Sequence, residues 1–247
     1  MSKSVIVVLR HGCDGGDGAK EEIDFNPDIT VTNHSSRGKV KDNKVTIVTN
    51  WLGDLGLKQA HGLGDALPDL LGAYCPVSRI ITEGPGDGHD GTPNPLYTIL
   101  YAAKKLAASF KHLTNKNLSL DLYDNDSYKD PKVFSVDALL QDGKGQYSTI
   151  VSWEAKGMWR HSDGGFQEDS LLGQLGHCGS GDHKVENHHL ISKHSPYKGQ
   201  VIYIFECNED NSLTLKVFTY DPSTTGNGFT EIKSGSDWPS NLCKKAQ

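Results

Sequence analysis

The chain has 247 residues, 36% of them hydrophobic and 23% charged, an ordinary globular mixture that supports a sizeable core in one large domain or two small ones. A formal charge of −6 and a pI near 6.0 exclude a broad nucleic-acid or anionic-membrane surface, because such surfaces need clustered Lys and Arg to neutralise phosphates; small molecules or proteins are the expected partners, and a homodimer stays open. No stretch reaches the roughly twenty apolar residues of a membrane span, and the amino terminus enters a strand without a signal-sequence pattern, so the expected address is the cytoplasm.

The first predicted element is Ser4-Val-Ile-Val-Val-Leu9, a β-branched apolar run of the kind buried on both faces of a parallel sheet. Residues 13–50 follow as a polar, glycine-rich insertion, with a small hairpin expected between Ile29-Thr-Val-Thr32 and Val45-Thr-Ile-Val48. A helix is predicted from about Leu55, with Ala60, Leu63, Leu67 and Leu70 on one side and Pro68 expected to kink or end it. Ser78–Thr82 reads as a second strand, and residues 83–93 as a second insertion. The clearest helix has Asn94 as N-cap, Pro95 at its first position, and Leu96, Ile99, Leu100, Ala103, Ala107 and Phe110 along one face. Further strands are predicted at Ser148–Ser152, Val201–Phe205 and Leu213–Phe218, the last as an edge hairpin partner, with a third irregular segment near 161–199. Alternation of strands and helices predicts a three-layer α/β sandwich, its central sheet mostly parallel with crossover helices and its ligand site beyond the carboxyl ends of the strands. Without an internal repeat or a clean linker, 1–247 reads as a single domain carrying insertions near 13–50, 83–93 and 161–199. The five cysteines (Cys13, Cys75, Cys178, Cys207, Cys243) are odd in number, scattered and without a CxxC pair, and are expected to be mostly reduced thiols.

The chemistry concentrates at Leu9-Arg10-His11-Gly12, immediately after the first strand. An imidazole can attack phosphorus and a guanidinium fork can hold phosphoryl oxygens, so Arg10 and His11 suit phosphate handling, with Gly12 expected to allow a sharp turn. An Arg-His pair by itself is more often a surface or edge feature. Here, however, an amino-terminal strand ending in Leu-Arg-His-Gly, followed by Asp54-Leu-Gly-Leu-Lys-Gln-Ala60, resembles the opening of the histidine phosphatase (phosphoglycerate-mutase-like) superfamily. The later layout fits too, including a helix near 166–176. The resemblance implies a phosphoglycerate-mutase-like fold, His11 as phospho-accepting nucleophile and Arg10 as phosphate clamp.

Two departures qualify that implication. The family places a second arginine in a Ser-Pro-x-x-Arg-like setting where this chain has Thr92-Pro-Asn-Pro-Leu-Tyr-Thr98, and a second histidine in a Ser-His-Gly-like turn where it has Ser152-Trp153-Glu154-Ala155. Of the four arginines, Arg79 is expected to face away at a strand start, leaving Arg37 and Arg160 as candidate substrate contacts beside Arg10 and Gly12. Glu154 is a candidate acid or base, or else a helix-start carboxylate. His89, in the insertion after the second strand, is a candidate catalytic substitute or a solvated loop residue. Asp124 and Asp126 fall where family members place a general acid, although Asp-Asn-Asp is also turn chemistry. Six histidines crowd residues 161–194 at irregular spacing that matches no metal template, so neither a metal nor another cofactor is expected. Three readings follow: a divergent enzyme acting on a phosphorylated or anionic small molecule, a non-catalytic scaffold, or a lyase, isomerase or cyclase reaction in which His11 is a general base.

Overall fold

A computed structural model describes residues 2–36, 40–84, 93–140, 145–154, 157–158, 170–176, 184–191 and 199–239. In chain order these form β1 (Val5–Arg10), β2 (Asp14–Asp24), β3 (Ile29–Asn33), β4 (Val40–Lys41), β5 (Lys44–Leu52), α1 (Asp54–Leu71), β6 (Val77–Glu83), α2 (Asn94–Thr114) and β7 (Leu118–Tyr123). Then come a 3-10 turn (Asn125–Lys129), α3 (Pro131–Phe134), α4 (Val136–Leu140), β8 (Ser148–Trp153), α5 (Leu171–Gly176), β9 (Val185–Glu186), a second 3-10 turn (His188–Leu190), β10 (Gln200–Cys207), β11 (Leu213–Tyr220) and β12 (Phe229–Ile232).

Among the described residues the main sheet runs β12-β11-β10-β1-β8-β6-β7-β3, with β9 attached to β11. From β1 through β8, β6 and β7 to β3 all neighbours are parallel, while β10, β11 and β12 continue antiparallel on the other side of β1. Side chains alternate across a strand, so Val5, Val7 and Leu9 of β1 enter a core with α1 and α2, whereas Ile6 and Val8 enter a second core with Phe134, Leu139, Met158 and Leu171. That double burial is why β1 reads as an unbroken apolar run, and it gives the three layers expected of the α/β sandwich.

Both long helices form as their apolar spacing predicts. Ala60, Leu63, Leu67 and Leu71 are buried along α1, and Pro68 neither ends nor halves the helix: it falls in the last turn, where a missing amide donor interrupts little ladder. α2 begins one residue earlier than its sequence suggests, with Pro93 rather than Asn94 at the cap position and Pro95 in the first turn; Asn115, in the left-handed region at φ 57°, closes it by donating to the Lys111 carbonyl.

The amino-terminal insertion departs from expectation. Residues 29–32 and 45–48 do not pair with each other. β3 instead joins the main sheet, parallel to β7 in the register Ile29↔Leu118, and contributes Ile29 to the core. β5 pairs with β4 through a two-residue turn at Asp42 and Asn43, whose φ values of 52° and 61° suit a tight hairpin, and with β2 on its other side. The segment thus holds a three-stranded sheet, β2-β5-β4, and is no loop. β7 and β12 were not anticipated; in β7, Leu118, Leu120 and Leu122 face the core while Ser119 and Asp121 take the other face, where Asp121 is buried and paired with Arg79.

This topology lines up the carboxyl ends of the parallel strands. Arg10 lies opposite Trp153, Thr82 opposite Ser152, and Glu83 opposite Tyr123, at the edge where open α/β sheets bind ligands. Among the described residues no helix is long and apolar enough to cross a membrane.

Candidate functional site

Residues 11–14 leave the end of β1 and are held from three directions. The His11 amide donates to the Trp153 carbonyl at 3.3 Å, carrying the β1–β8 ladder one residue past the strand. From α2, Thr98 Oγ1 accepts the Gly12 amide at 2.9 Å and Asn94 Nδ2 donates to Asp14 Oδ1 at 2.6 Å. From α1, Gln59 Oε1 accepts the Cys13 amide at 2.9 Å, and just before that helix the Gly53 amide donates to the Cys13 carbonyl at 3.0 Å.

Glycine is favoured at position 12 by proximity. Gly12 is not among the residues with positive φ, so no left-handed backbone calls for glycine there; a Cβ would sit 3.0 Å from the Gly56 carbonyl oxygen and 3.2 Å from Gln59 Oε1. Gly56 is tighter still, since its Cβ would lie 2.2 Å from the Cys13 carbonyl oxygen. The Leu-Gly-x-x-Gln spacing of α1 therefore has a physical meaning. Gly56 lets the helix touch the loop, and Gln59, almost one turn on and on the same face, bonds it.

His11 is 5% exposed, and its Nδ1 lies 2.7 Å from the Gly12 carbonyl oxygen and 3.4 Å from Asp14 Oδ1. A carbonyl can only accept, so Nδ1 carries the proton and Nε2 presents a lone pair. Burial, then the neighbouring Arg10 charge, lowers the His11 pKa from 6.5 to about 4, with Asp14 and the Gly12 carbonyl opposing. The ring is therefore neutral near pH 7, the state a nucleophile or general base needs. Arg10 is anchored beside it, its Nη1 donating to the Gly199 carbonyl at 3.1 Å.

Of the other residues singled out from the sequence, Glu154 stands at this end of the sheet, next to Trp153, and accepts from Asn125 Nδ2 at 2.6 Å. Arg37, His89 and Arg160 lie outside the described residues, as do His161, His177, His183 and His194. Arg79 does not turn away from this end as expected: its Nε donates to Asp121 at 2.5 Å and it also hydrogen-bonds the Tyr123 side chain, so it reaches along the sheet toward the carboxyl edge. Asp124 joins the loops after β7 and β3 by accepting from Ser35 Oγ and from the Ser36 amide and hydroxyl, and Asp126 pairs with Lys129, which fits their turn reading. Among the described residues no group of three or more His, Cys, Asp or Glu could hold a metal. Cys75 and Cys207 are free thiols, while Cys13, beside the site, is disulfide-bonded and so departs from the reduced state expected of most of the cysteines.

Sequence reasoning gave no place in the site to Asp14, Gln59, Glu83, Asn94 or Thr98. Glu83, 1% exposed at the end of β6, puts a carboxylate where the next insertion begins. Asn94 and Thr98 occupy the helix start where the resemblance implies a second arginine, and there they hold the His11 loop. At the place of the implied second histidine stands Trp153, fully buried against Phe134 and Tyr128. A separate cavity of about 320 Å³ lies at the opposite end of β1, beside Ser2, Lys3, Ser4 and Cys207, away from these groups.

No protein-family model matches the sequence, and no curated protein matches it. Among solved structures it is similar to a crystal structure of phosphoglycerate mutase from Plasmodium falciparum, at 10% identity and a TM-score of 0.37, over 94% of this chain and 96% of that one. Likeness at this level assigns neither an activity nor site residues.

Proposed function

We propose that this chain is an enzyme acting on a phosphorylated or otherwise anionic small molecule, with His11 Nε2 as nucleophile or general base and Arg10 as the anion contact. One observation carries the reading. The Gly12 carbonyl accepts a hydrogen bond from Nδ1 and burial keeps the ring neutral, which leaves the lone pair on Nε2 of a ring held just past the carboxyl end of β1. Within this reading Glu154 is the candidate proton donor or acceptor, and Arg37, Arg160 and His89 are the candidates to complete the pocket. A non-hydrolytic reaction with His11 as base is the second reading. It is favoured by the carboxylates Asp14, Glu83, Asp124 and Glu154 at or beside the same strand ends, which suit proton transfer better than they suit a phosphate dianion.

The test is His11→Ala, assayed on a panel of phosphomonoesters and other small anionic substrates with circular dichroism as folding control. Turnover is expected to fall by about a hundredfold to ten-thousandfold with the fold intact. Wild-type turnover in the variant would overturn both histidine-dependent readings. Because the ring protonates only near pH 4, the wild-type rate should hold from pH 7 down to about 5 and drop below that.

A further inference from the structure

We propose that Gln59 is a positioning residue that fixes the protonation pattern of the His11 ring through the Gly12–Cys13 peptide. The inference rests on the reading of His11 as the reacting group. It concerns a different residue, on a different element, that hydrogen-bonds the loop at the Cys13 amide.

The peptide between Gly12 and Cys13 is bonded at both ends. Its carbonyl accepts from His11 Nδ1 at 2.7 Å, and its amide donates to Gln59 Oε1 at 2.9 Å. A peptide is planar, with N–H and C=O pointing in opposite directions, so fixing the amide on Gln59 aims the carbonyl at the imidazole. Hydrogen bonds in such a chain also polarise one another, which makes the Gly12 carbonyl a stronger acceptor while Gln59 holds the far end. On the other side of the Gly12 α-carbon, Thr98 takes the Gly12 amide, so both peptide planes flanking Gly12 are clamped.

The orientation of the Gln59 amide is settled by chemistry. Only an acceptor can face the Cys13 N–H, so Oε1 faces it and Nε2 points elsewhere. Gln59 is fully buried, and its Nε2 has no hydrogen-bond partner among the described residues. A buried donor left unmade is costly, and here it accompanies the one contact the side chain does make, to the loop. The charged groups that face His11 are Arg10 and Asp14. Asp14 Oδ1, at 3.4 Å from Nδ1, is the competing acceptor for the same proton, and a decisive test removes it.

The experiment is heteronuclear NMR of histidine-labelled protein in an Asp14→Ala background, comparing Gln59, Gln59→Met and Gln59→Glu. Methionine matches the volume without an acceptor at that position, while glutamate restores one. With Gln59 present, and again with Gln59→Glu, neutral His11 should show the Nδ1-protonated form alone; with Gln59→Met it should show a mixture of both tautomers. A folded Gln59→Met protein whose His11 stays wholly Nδ1-protonated would overturn the proposal. Should Gln59→Met not fold, Gln59→Glu decides: a carboxylate at the end of the chain of bonds should raise the His11 pKa by about one, and an unchanged value overturns it. The ring is read directly, so an inactive or wrongly assigned enzyme leaves this outcome intact, and activity retained in His11→Ala would sink only the catalytic reading.

Discussion

At the scale of the residue, the burial that keeps His11 neutral also links it to stability. Its folded pKa of about 4 lies below its ordinary value of 6.5, so between those pH values the unfolded chain binds a proton that the folded chain does not. The contribution is fully present above pH 6.5 and is lost as pH falls toward 4, by on the order of 3 kcal/mol over the whole interval. Urea unfolding at pH 7 and pH 4.5 should therefore show wild type losing on the order of 2–3 kcal/mol more than His11→Gln, whose side chain does not titrate. Equal losses in the two proteins would show that the ring is charged, or solvated, in the folded state. The placement of Arg10, His11 and Gly12 at the end of β1 was legible, because a short polar motif after an apolar run marks the end of a buried strand. Asp14, Gln59, Asn94 and Thr98 were not, because their roles depend on which helices approach the loop, and Gln59 lies 46 positions from the amide it bonds.

At the scale of the element, the docking of α1 against the loop makes a sharp demand on one residue. Gly56→Ala would place a methyl group 2.2 Å from the Cys13 carbonyl oxygen, which neither backbone can accommodate without moving. The substitution should lower stability by about 1–3 kcal/mol despite alanine's better helix propensity, and should disturb the His11 resonances in the same spectra. Gly235→Ala is the control, since a Cβ there meets nothing within 4 Å, and it should leave both stability and ring unchanged. If Gly56→Ala were neutral in thermal and chemical unfolding, the close approach of α1 to the loop would be wrong. Elements with both faces or one whole stripe buried, such as β1, β8, α1 and α2, were legible because their patterns are set by burial. The pairing of β3 was not, since Ile29-Thr-Val-Thr32 alternates equally well for either neighbour, and the choice falls to Leu118–Tyr123, far along the chain. The Asp42-Asn43 turn was the overlooked local signal, because it fixes the partner of β5 before any long-range contact is considered.

At the scale of the whole molecule, the net charge of −6 has its sign, not its size, echoed by the groups at the edge where the site lies. Among the described residues there, Arg10 supplies the guanidinium, while Asp14, Glu83, Asp124 and Glu154 supply carboxylates. A phosphate monoester brings nearly two negative charges, and the resemblance implies two arginines and two histidines around them. Here α2 offers Asn94 and Thr98 where the second arginine belongs, both already bonded to the His11 loop, and β8 ends in a buried Trp153 where the second histidine belongs. Losing one donor from a preorganised site costs about 2.7–4 kcal/mol, a hundredfold to a thousandfold in rate. Hydrolysis of a generic aryl phosphate should accordingly be weak. Steady-state kinetics with para-nitrophenyl phosphate across pH 4–8, run beside an ordinary histidine phosphatase, should give a kcat/KM at least about a hundredfold lower for this chain. Parity between the two would mean that Arg37, Arg160 or His89 restores the missing charge, and the preference for a different anionic substrate or for proton-transfer chemistry would have to be given up. A low rate, combined with loss of the residual rate in His11→Ala, would place the chemistry at His11 and direct the search to substrates that carry less negative charge than a phosphate dianion.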